Sequence, residues 1–242
     1  MVPSNNRAVV VLAAFDYESL QLTLLALEHT LDASETVVVV LNGRKSYPAE
    51  KVERVARTWA AGHPATRFVV RPLCAGSEPW WALTEVLSQY GPLQGVEYIC
   101  KIDDDVLPVR KGWLPRLAAA YEGLAPGRNL AFVTGLINNN SWGFNELVDL
   151  YGKRDEYAHQ FNYTSIAGEY NERRAAPGVI DTGAGGTVWQ YPYLAWWIHQ
   201  WTSLKLPQFV ERTAGLGLKE VPVETHYSIG CIYFRKSYWL GV

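Results

Sequence analysis

Three consecutive aspartates, Asp103 to Asp105, follow an apolar run in the segment YICKIDDDVLP, residues 98–108. Side chains alternate along a strand, so Asp103 and Asp105 can point to one side while Asp104 points away. Two carboxylates on one side form a hard oxygen site that suits Mg²⁺ or Mn²⁺ rather than Zn²⁺. Because Mg²⁺ completes its shell with waters and substrate phosphates, the run predicts a site for a metal–diphosphate complex.

A solvated turn, or Asp105 acting as a local cap, is the alternative interpretation of the same residues. Against it, three adjacent carboxylates repel one another. Within DDDVLPVRK only the later Arg110 and Lys111 could offset that repulsion. The metal interpretation is therefore favoured over the solvated turn.

The segments around the aspartates alternate between strand and helix patterns. β-Branched runs predict strands in RAVVVLAAF, ETVVVVLNG, TRFVVRPL, VEYICKI and NLAFVTGLI (residues 7–15, 35–43, 66–73, 96–102 and 129–137). Helices are predicted between them, with Asp16 and Ser77 as caps and Pro48 in a first turn. This alternation indicates βαβ units, hence an α/β fold with a mostly parallel, Rossmann-like central sheet and helices on both faces. Ligands bind such sheets at the carboxyl ends of the strands, where the aspartates fall.

The second half of the chain has a less regular pattern. Residues 138–180 are polar and aromatic without clear periodicity, which predicts a partly helical insertion or a segment that covers the substrate. After it, GAGGTVWQ is strand-like, and YLAWWIHQWTSL and LPQFVERTAGLG predict helices. No repeat, low-complexity tract or obvious linker interrupts the chain, so a single domain over residues 1–242 is expected.

Composition excludes several classes of protein. With 48% apolar and 19% charged residues the chain is globular, and its net charge of −2 without a basic stripe argues against nucleic acid as a partner. The longest apolar stretches fall short of the ~20 residues that span a bilayer, so no transmembrane segment is expected. The first residues are a poor secretory signal, and three widely spaced cysteines indicate reduced thiols and a cytoplasmic location. Ten Trp and fourteen Tyr favour a carbohydrate substrate, since such rings stack on sugar faces.

The segment YICKIDDDVLP with the following GWLPRL resembles the Asp-x-Asp segment of the GT-A fold glycosyltransferases. It is similar to the family 2 enzymes and to the beta-1,3-galactosyltransferase type, which carries a Lys-x-Asp-Asp-Asp run. Four further segments follow the order found in those families. They correspond in turn to the segment that holds the nucleotide, the segment near the nucleotide base, the segment beside the sugar and acceptor, and the segment that supplies a third metal ligand: VVVLAAFDYESLQLTLLAL, VVVVLNGRK, GAGGTVW and VPVETH. The resemblance implies a GT-A type fold with residues 1–110 as the nucleotide-sugar donor half. Residues 111–242 would then form the acceptor half, with the irregular insert at 138–180.

The resemblance also implies a role for individual residues. Asp105 would be the principal metal ligand, Asp103 would contact the metal or the ribose, and His226 would be the third ligand. Asp104 would face the donor sugar. The remaining donor-binding positions would be Ala13, Ala14, Phe15, Asp16, Asn42, Gly185 and Gly186.

The catalytic base is the position at which the sequence departs from the family pattern. An inverting transferase needs a carboxylate within hydrogen-bond reach of the acceptor hydroxyl. The related families place an acidic pair after the Gly-rich strand and its helix, but SLKLPQFVERTAGLG offers only Glu211 there. Asp181 is a second candidate. Asp149, Asp155 and Glu169 in the insert remain open as well.

The activity implied by the resemblance is transfer of a sugar from a nucleoside-diphosphate sugar, with a UDP-sugar as the first expectation. The acceptor would be a saccharide or glycolipid hydroxyl, and the cofactor would be Mn²⁺ or Mg²⁺. Inversion of the anomeric centre is favoured over retention, which needs no catalytic base of this kind. A non-catalytic carbohydrate- or nucleotide-binding protein is the alternative that the missing acidic pair favours. A metal-dependent phosphohydrolase is a further alternative, weakened because the first three predicted strands end with only one carboxylate, Asp16.

Overall fold

The computed structural model describes residues 6–13, 17–41, 49–63, 68–72, 79–138, 141–161, 192–220 and 230–241. The strands are β1 (Arg7–Ala13), β2 (Thr36–Leu41), β3 (Phe68–Pro72), β4 (Tyr98–Asp103) and β5 (Cys231–Arg235). The helices are α1 (Tyr17–Thr30), α2 (Ala49–Gly62), α3 (Pro79–Gln89), α4 (Trp113–Leu124), α5 (Ser141–Leu150), α6 (Arg154–Gln160), α7 (Pro192–Trp201), α8 (Leu206–Arg212) and α9 (Lys236–Leu240).

The strands form one mixed sheet in the order β3-β2-β1-β4-β5. The pairs β1–β2, β1–β4 and β2–β3 are parallel, and β5 runs antiparallel to β4. The predicted α/β class with a mostly parallel sheet is therefore confirmed. The order reverses at β1, because β2 and β3 lie on one side of it and β4 on the other. The crevice between the carboxyl ends of β1 and β4 is thus the topological switch point of the sheet.

Continuous apolar runs form the inner strands because both faces of the sheet are covered. On one face, Val10, Val38 and Ile99 pack in a single buried cluster with Leu83 and Val86 of α3. On the other face, Tyr233 of β5 contacts the ring of Tyr121 on α4, and Trp113 at the start of α4 donates a hydrogen bond to Thr30 of α1. Helices therefore lie on both faces, as the sequence predicted.

The chain forms two compact units, Met1–Gly135 with Ile229–Val242, and Leu136–Ser228. The first contains the sheet. In the second, α5, α6 and α7 bury a cluster that includes Phe144, Tyr157, Trp197 and Trp201. Trp197 also donates its indole N–H to Glu156 at 2.6 Å. Several of the clustered aromatic residues therefore pack the interior of this unit.

The described part of residues 138–180 contains α5 and α6, so it is partly helical as predicted, and its role as an insertion stays a prediction. The division into donor and acceptor halves within one domain stays a prediction. None of the helices in the described ranges has the length and hydropathy that crossing a membrane requires.

The prediction of a fifth strand over NLAFVTGLI is wrong. Residues 129–137 touch the sheet at one isolated bridge, where Val133 and Tyr233 exchange two backbone hydrogen bonds of 2.9 and 2.7 Å. The strand beside β4 is instead β5, which comes from the end of the chain.

Candidate functional site

The aspartates lie at the switch point of the sheet. Asp103 is the last residue of β4 and is paired in register with Leu12 of β1, so Ala13 and the aspartates end neighbouring strands. The backbone N–H of Asp103 donates to the carbonyl of Gly230 at 2.9 Å, and its carbonyl accepts from the N–H of Val106 at 3.2 Å. These bonds turn the chain directly after the strand. Sequence reasoning placed the aspartates at this edge, and the structure brings Ala13 to the same place.

The three carboxylates differ in exposure. The side chain of Asp103 is 31% exposed and Asp105 is exposed, whereas Asp104 is fully buried. The backbone carbonyl of Asp104 accepts a hydrogen bond of 2.7 Å from the hydroxyl of Thr23, which is itself buried on α1. This bond fastens the turn to the helix. The side chain of Asp104 does not reach the surface. Contact between Asp104 and a donor sugar stays a prediction.

Lys101 is a site residue whose importance the local charge argument missed. It is 1% exposed, and its ammonium donates to Oδ1 of Asp103 at 2.5 Å. From the sequence, only Arg110 and Lys111 are expected to offset the aspartates. The signal was available, because residues two apart in a strand point to the same side. Lys101 therefore holds one oxygen of Asp103 and offsets part of the negative charge of the turn.

Electrostatics at this turn favours a bound cation. Removal from water raises the pKa of Asp103, Lys101 opposes that shift, and the nearby Asp105 adds to it. Removal from water also raises the pKa of Asp105, opposed by a backbone hydrogen bond and by Lys101. Protein atoms around Asp105 thus limit its hydration even though the residue is exposed. A positive charge near both carboxylates would stabilise their ionised forms.

The donor set fits a magnesium or manganese ion of the kind that binds through few protein ligands. Among the described residues, no group of three or more His, Cys, Asp or Glu side chains could hold a metal. Two carboxylates are nevertheless the number that Mg²⁺ typically takes from a protein, with waters and phosphates supplying the rest. Asp103 and Asp105 could supply two carboxylate oxygens from one turn, which agrees with that pattern.

The other predicted residues are only partly described. Ala13 is buried at the end of β1, and Glu211 is exposed on α8 in the second compact unit. The following candidates lie outside the described residues, and their roles stay predictions: Ala14, Phe15, Asp16, Asn42, Asp181, Gly185, Gly186 and His226.

No protein-family model matches the chain, and no curated protein matches it. Twenty solved chains match it in structure. One is the mannosyltransferase PcManGT from Pyrobaculum calidifontis in complex with GDP-Man and Mn²⁺, at 16% identity and a TM-score of 0.42 over 52% of this chain and 34% of that one. A cytidylyltransferase from Leptospira borgpetersenii has 14% identity and a TM-score of 0.38 over 54% and 53%. S. aureus TarS 1–349 has 16% identity and a TM-score of 0.36 over 56% and 40%.

The matches thus span between a third and about half of these structures' own length. Likenesses of this strength carry no conclusion about activity. What can be said about chemistry therefore rests on the sheet topology and on the residues at the end of β4.

Proposed function

We propose that this protein is a metal-dependent glycosyltransferase. In the proposed reaction a sugar is transferred from a nucleoside-diphosphate sugar to a hydroxyl of a saccharide or glycolipid, with inversion at the anomeric carbon. A UDP-sugar is the donor that we propose first. The observation that supports this most is the position of Asp103 and Asp105, with the buried Lys101, at the carboxyl end of β4 beside the switch point. A metal–diphosphate complex needs oxygen ligands at such an edge.

Each described residue of the site has a definite task in this proposal. Asp103 and Asp105 would hold Mn²⁺ or Mg²⁺, which supplies charge stabilisation to a departing diphosphate. Lys101 fixes the Asp103 carboxylate through its 2.5 Å bond. Thr23 holds the turn in place through the carbonyl of Asp104. Ala13 has a small side chain, so a ligand can approach the end of β1 closely.

Inversion requires a carboxylate to take the proton of the acceptor hydroxyl. Glu211 and Asp181 are the candidates we propose for that base. A cytoplasmic location belongs to the same proposal.

The test is a calorimetric titration of UDP, GDP and deoxythymidine diphosphate, each with Mn²⁺ and again with EDTA. We expect one of them to bind only with the metal, and Asp105→Ala to weaken that binding by at least about 100-fold, since it removes a direct ligand and even outer-shell losses cost 10–100-fold. Asp32→Ala is the matched control, because Asp32 is an exposed aspartate that precedes the amino end of β2, at the other edge of the sheet.

The proposal would be refuted if none of the three nucleotides bound, or if the Asp105→Ala variant bound the nucleotide as tightly as the unaltered protein does. Metal-dependent binding with no turnover of any nucleotide sugar would favour the non-catalytic binding protein instead.

A further inference from the structure

Lys101 is held beside the first of the proposed metal ligands by the strand itself. It stands two residues before Asp103 on β4, so both side chains leave the same face of the sheet. Its ammonium donates to Oδ1 of Asp103 at 2.5 Å, and the lysine side chain is 1% exposed. The side chain of Asp103 is 31% exposed. The carboxylate therefore contacts a buried cation and still reaches solvent.

The bond from Lys101 makes the two oxygens of the Asp103 carboxylate unequal. Oδ1 accepts from a full positive charge, so a divalent cation that approached this oxygen would meet the ammonium at close range. Oδ2 lies farther from the ammonium, and the repulsion there is weaker. We therefore expect Asp103 to offer a metal one oxygen rather than two.

Burial makes the charge of Lys101 effective. Its register partner on β5 is Ile232, and both Ile232 and Ile99 belong to the buried apolar cluster on this face of the sheet. Water and salt screen a charge in such surroundings much less than they screen a charge at the surface. Whatever further groups Lys101 contacts, a protein without its ammonium would have one positive charge fewer beside Asp103.

That positive charge acts in opposite directions on a metal and on a diphosphate. It repels a free divalent cation, and it attracts the anionic phosphates. Mg²⁺ binds to proteins through one or two carboxylates and takes its remaining ligands from waters and substrate phosphates. A site with two carboxylates and a buried ammonium should therefore bind the free metal weakly and the metal together with a diphosphate well.

We propose that Lys101 makes the site selective for a metal–diphosphate complex over the free metal. It lowers the affinity of the site for a divalent cation alone, and it raises the affinity of the metal-loaded site for a nucleoside diphosphate. The inference rests on the proposed function, in which Asp103 and Asp105 hold the metal. A lysine that only oriented Asp103 would instead increase both affinities.

The test compares the unaltered protein with Lys101→Met and Lys101→Gln at about pH 8, far above the usual aspartate pKa of about 3.9. Electron paramagnetic resonance measures the binding of Mn²⁺ alone. Calorimetry measures the binding of whichever of UDP, GDP and deoxythymidine diphosphate binds the unaltered protein, in Mn²⁺ at a concentration that saturates that protein. Both variants should bind Mn²⁺ alone about tenfold more tightly and the nucleotide about tenfold more weakly, because each removes one charge beside the site.

The two variants separate charge from orientation. Glutamine has no charge but can still donate a hydrogen bond to Asp103, whereas methionine has neither property. Lys236→Met is the matched control, because it removes the same charge from the first compact unit. Lys236 follows Arg235, which pairs with Tyr98 at the start of β4, roughly 17 Å from Asp103 at about 3.3 Å per residue. This variant should leave both affinities unchanged.

The inference would be overturned if Lys101→Gln bound Mn²⁺ alone no more tightly than the unaltered protein does, or if it bound the nucleotide equally well. Weaker binding of both ligands by Lys101→Met, with no change in Lys101→Gln, would show that the lysine only orients Asp103. Each of these results would leave the proposed function standing, because the unaltered protein would still bind a nucleotide with the metal. Absence of nucleotide binding by the unaltered protein would refute the proposed function and this inference together.

Discussion

Replacing Glu35 with glutamine should destabilise the first compact unit strongly, because it leaves a buried arginine without its counter-charge. Arg7 begins β1 and Glu35 directly precedes β2. The Nε of Arg7 donates to both oxygens of Glu35 at 3.0 Å, and a second guanidinium nitrogen also bonds the same carboxylate. The hydrogen bonds that Arg7 donates to Glu35 are the main reason that the pKa of Arg7 is raised.

The size of the effect follows from the burial of the two groups. Glu35 is 1% exposed and Arg7 is 8% exposed. Removing one partner of a buried ion pair costs about 3–5 kcal/mol, and the slight exposure of Arg7 places this pair at the low end, near 3 kcal/mol. That is a large part of the roughly 5–15 kcal/mol that holds a typical domain folded. With an m-value of about 3 kcal/mol/M in urea, the unfolding midpoint should fall by about 1 M.

Urea unfolding followed by circular dichroism measures this shift, and the chain provides a matched control. Glu53 and Arg57 form a pair of 2.6 Å on α2 whose side chains are 39% and 62% exposed. Glu53→Gln should therefore cost less than about 0.5 kcal/mol. The double variant Arg7→Met with Glu35→Leu should recover most of the lost free energy of unfolding, because no charge is then left buried. If Glu35→Gln were no more destabilising than Glu53→Gln, the reasoning would be refuted.

Gly143→Ala should lower the free energy of unfolding by about 1–3 kcal/mol, because the added methyl group would collide with a backbone carbonyl. Gly123→Ala in α4, where the added methyl group meets open space, should be neutral or stabilising. Thermal unfolding of the two variants measures the difference. Burial lowers the pKa of His199, so the unfolded chain binds a proton at this histidine more readily than the folded chain does. The free energy of unfolding should therefore fall as the pH drops below about 6.5. In urea titrations at several pH values, His199→Gln should make this decline smaller.

Sequence patterns predicted the parts of the fold that depend on local periodicity. The runs in β1 and β2 are continuous rather than alternating because helices cover both faces, and that feature is visible in the letters themselves. The aspartates could be placed at the end of β4 because the apolar run stops at Ile102. Lys101 could have been assigned to the same site, since it stands two residues before Asp103.

Features that depend on pairing between distant segments could not be predicted in this way. The pattern of NLAFVTGLI is that of a strand, yet the place beside β4 is filled by a segment from the end of the chain. The same pairing brings Arg235 to Tyr98, at the edge of the sheet opposite the aspartates. Nothing in the local sequence of either residue shows that they meet.

In the proposed function, Lys101 would allow an acidic turn to attract a diphosphate. The ionised carboxylates of Asp103 and Asp105 contribute −2 and Lys101 contributes +1, so the three groups sum to −1. A divalent cation would bring the sum to +1, which attracts the anionic phosphates, whereas the same site without the lysine would be neutral. Since Lys101 is almost fully buried and bonded to Asp103 at 2.5 Å, its charge acts at short range with little screening by water. With Asp103 and Asp105 as the proposed metal ligands, the buried Lys101 would therefore adjust the charge of the site to the charge of the proposed ligand.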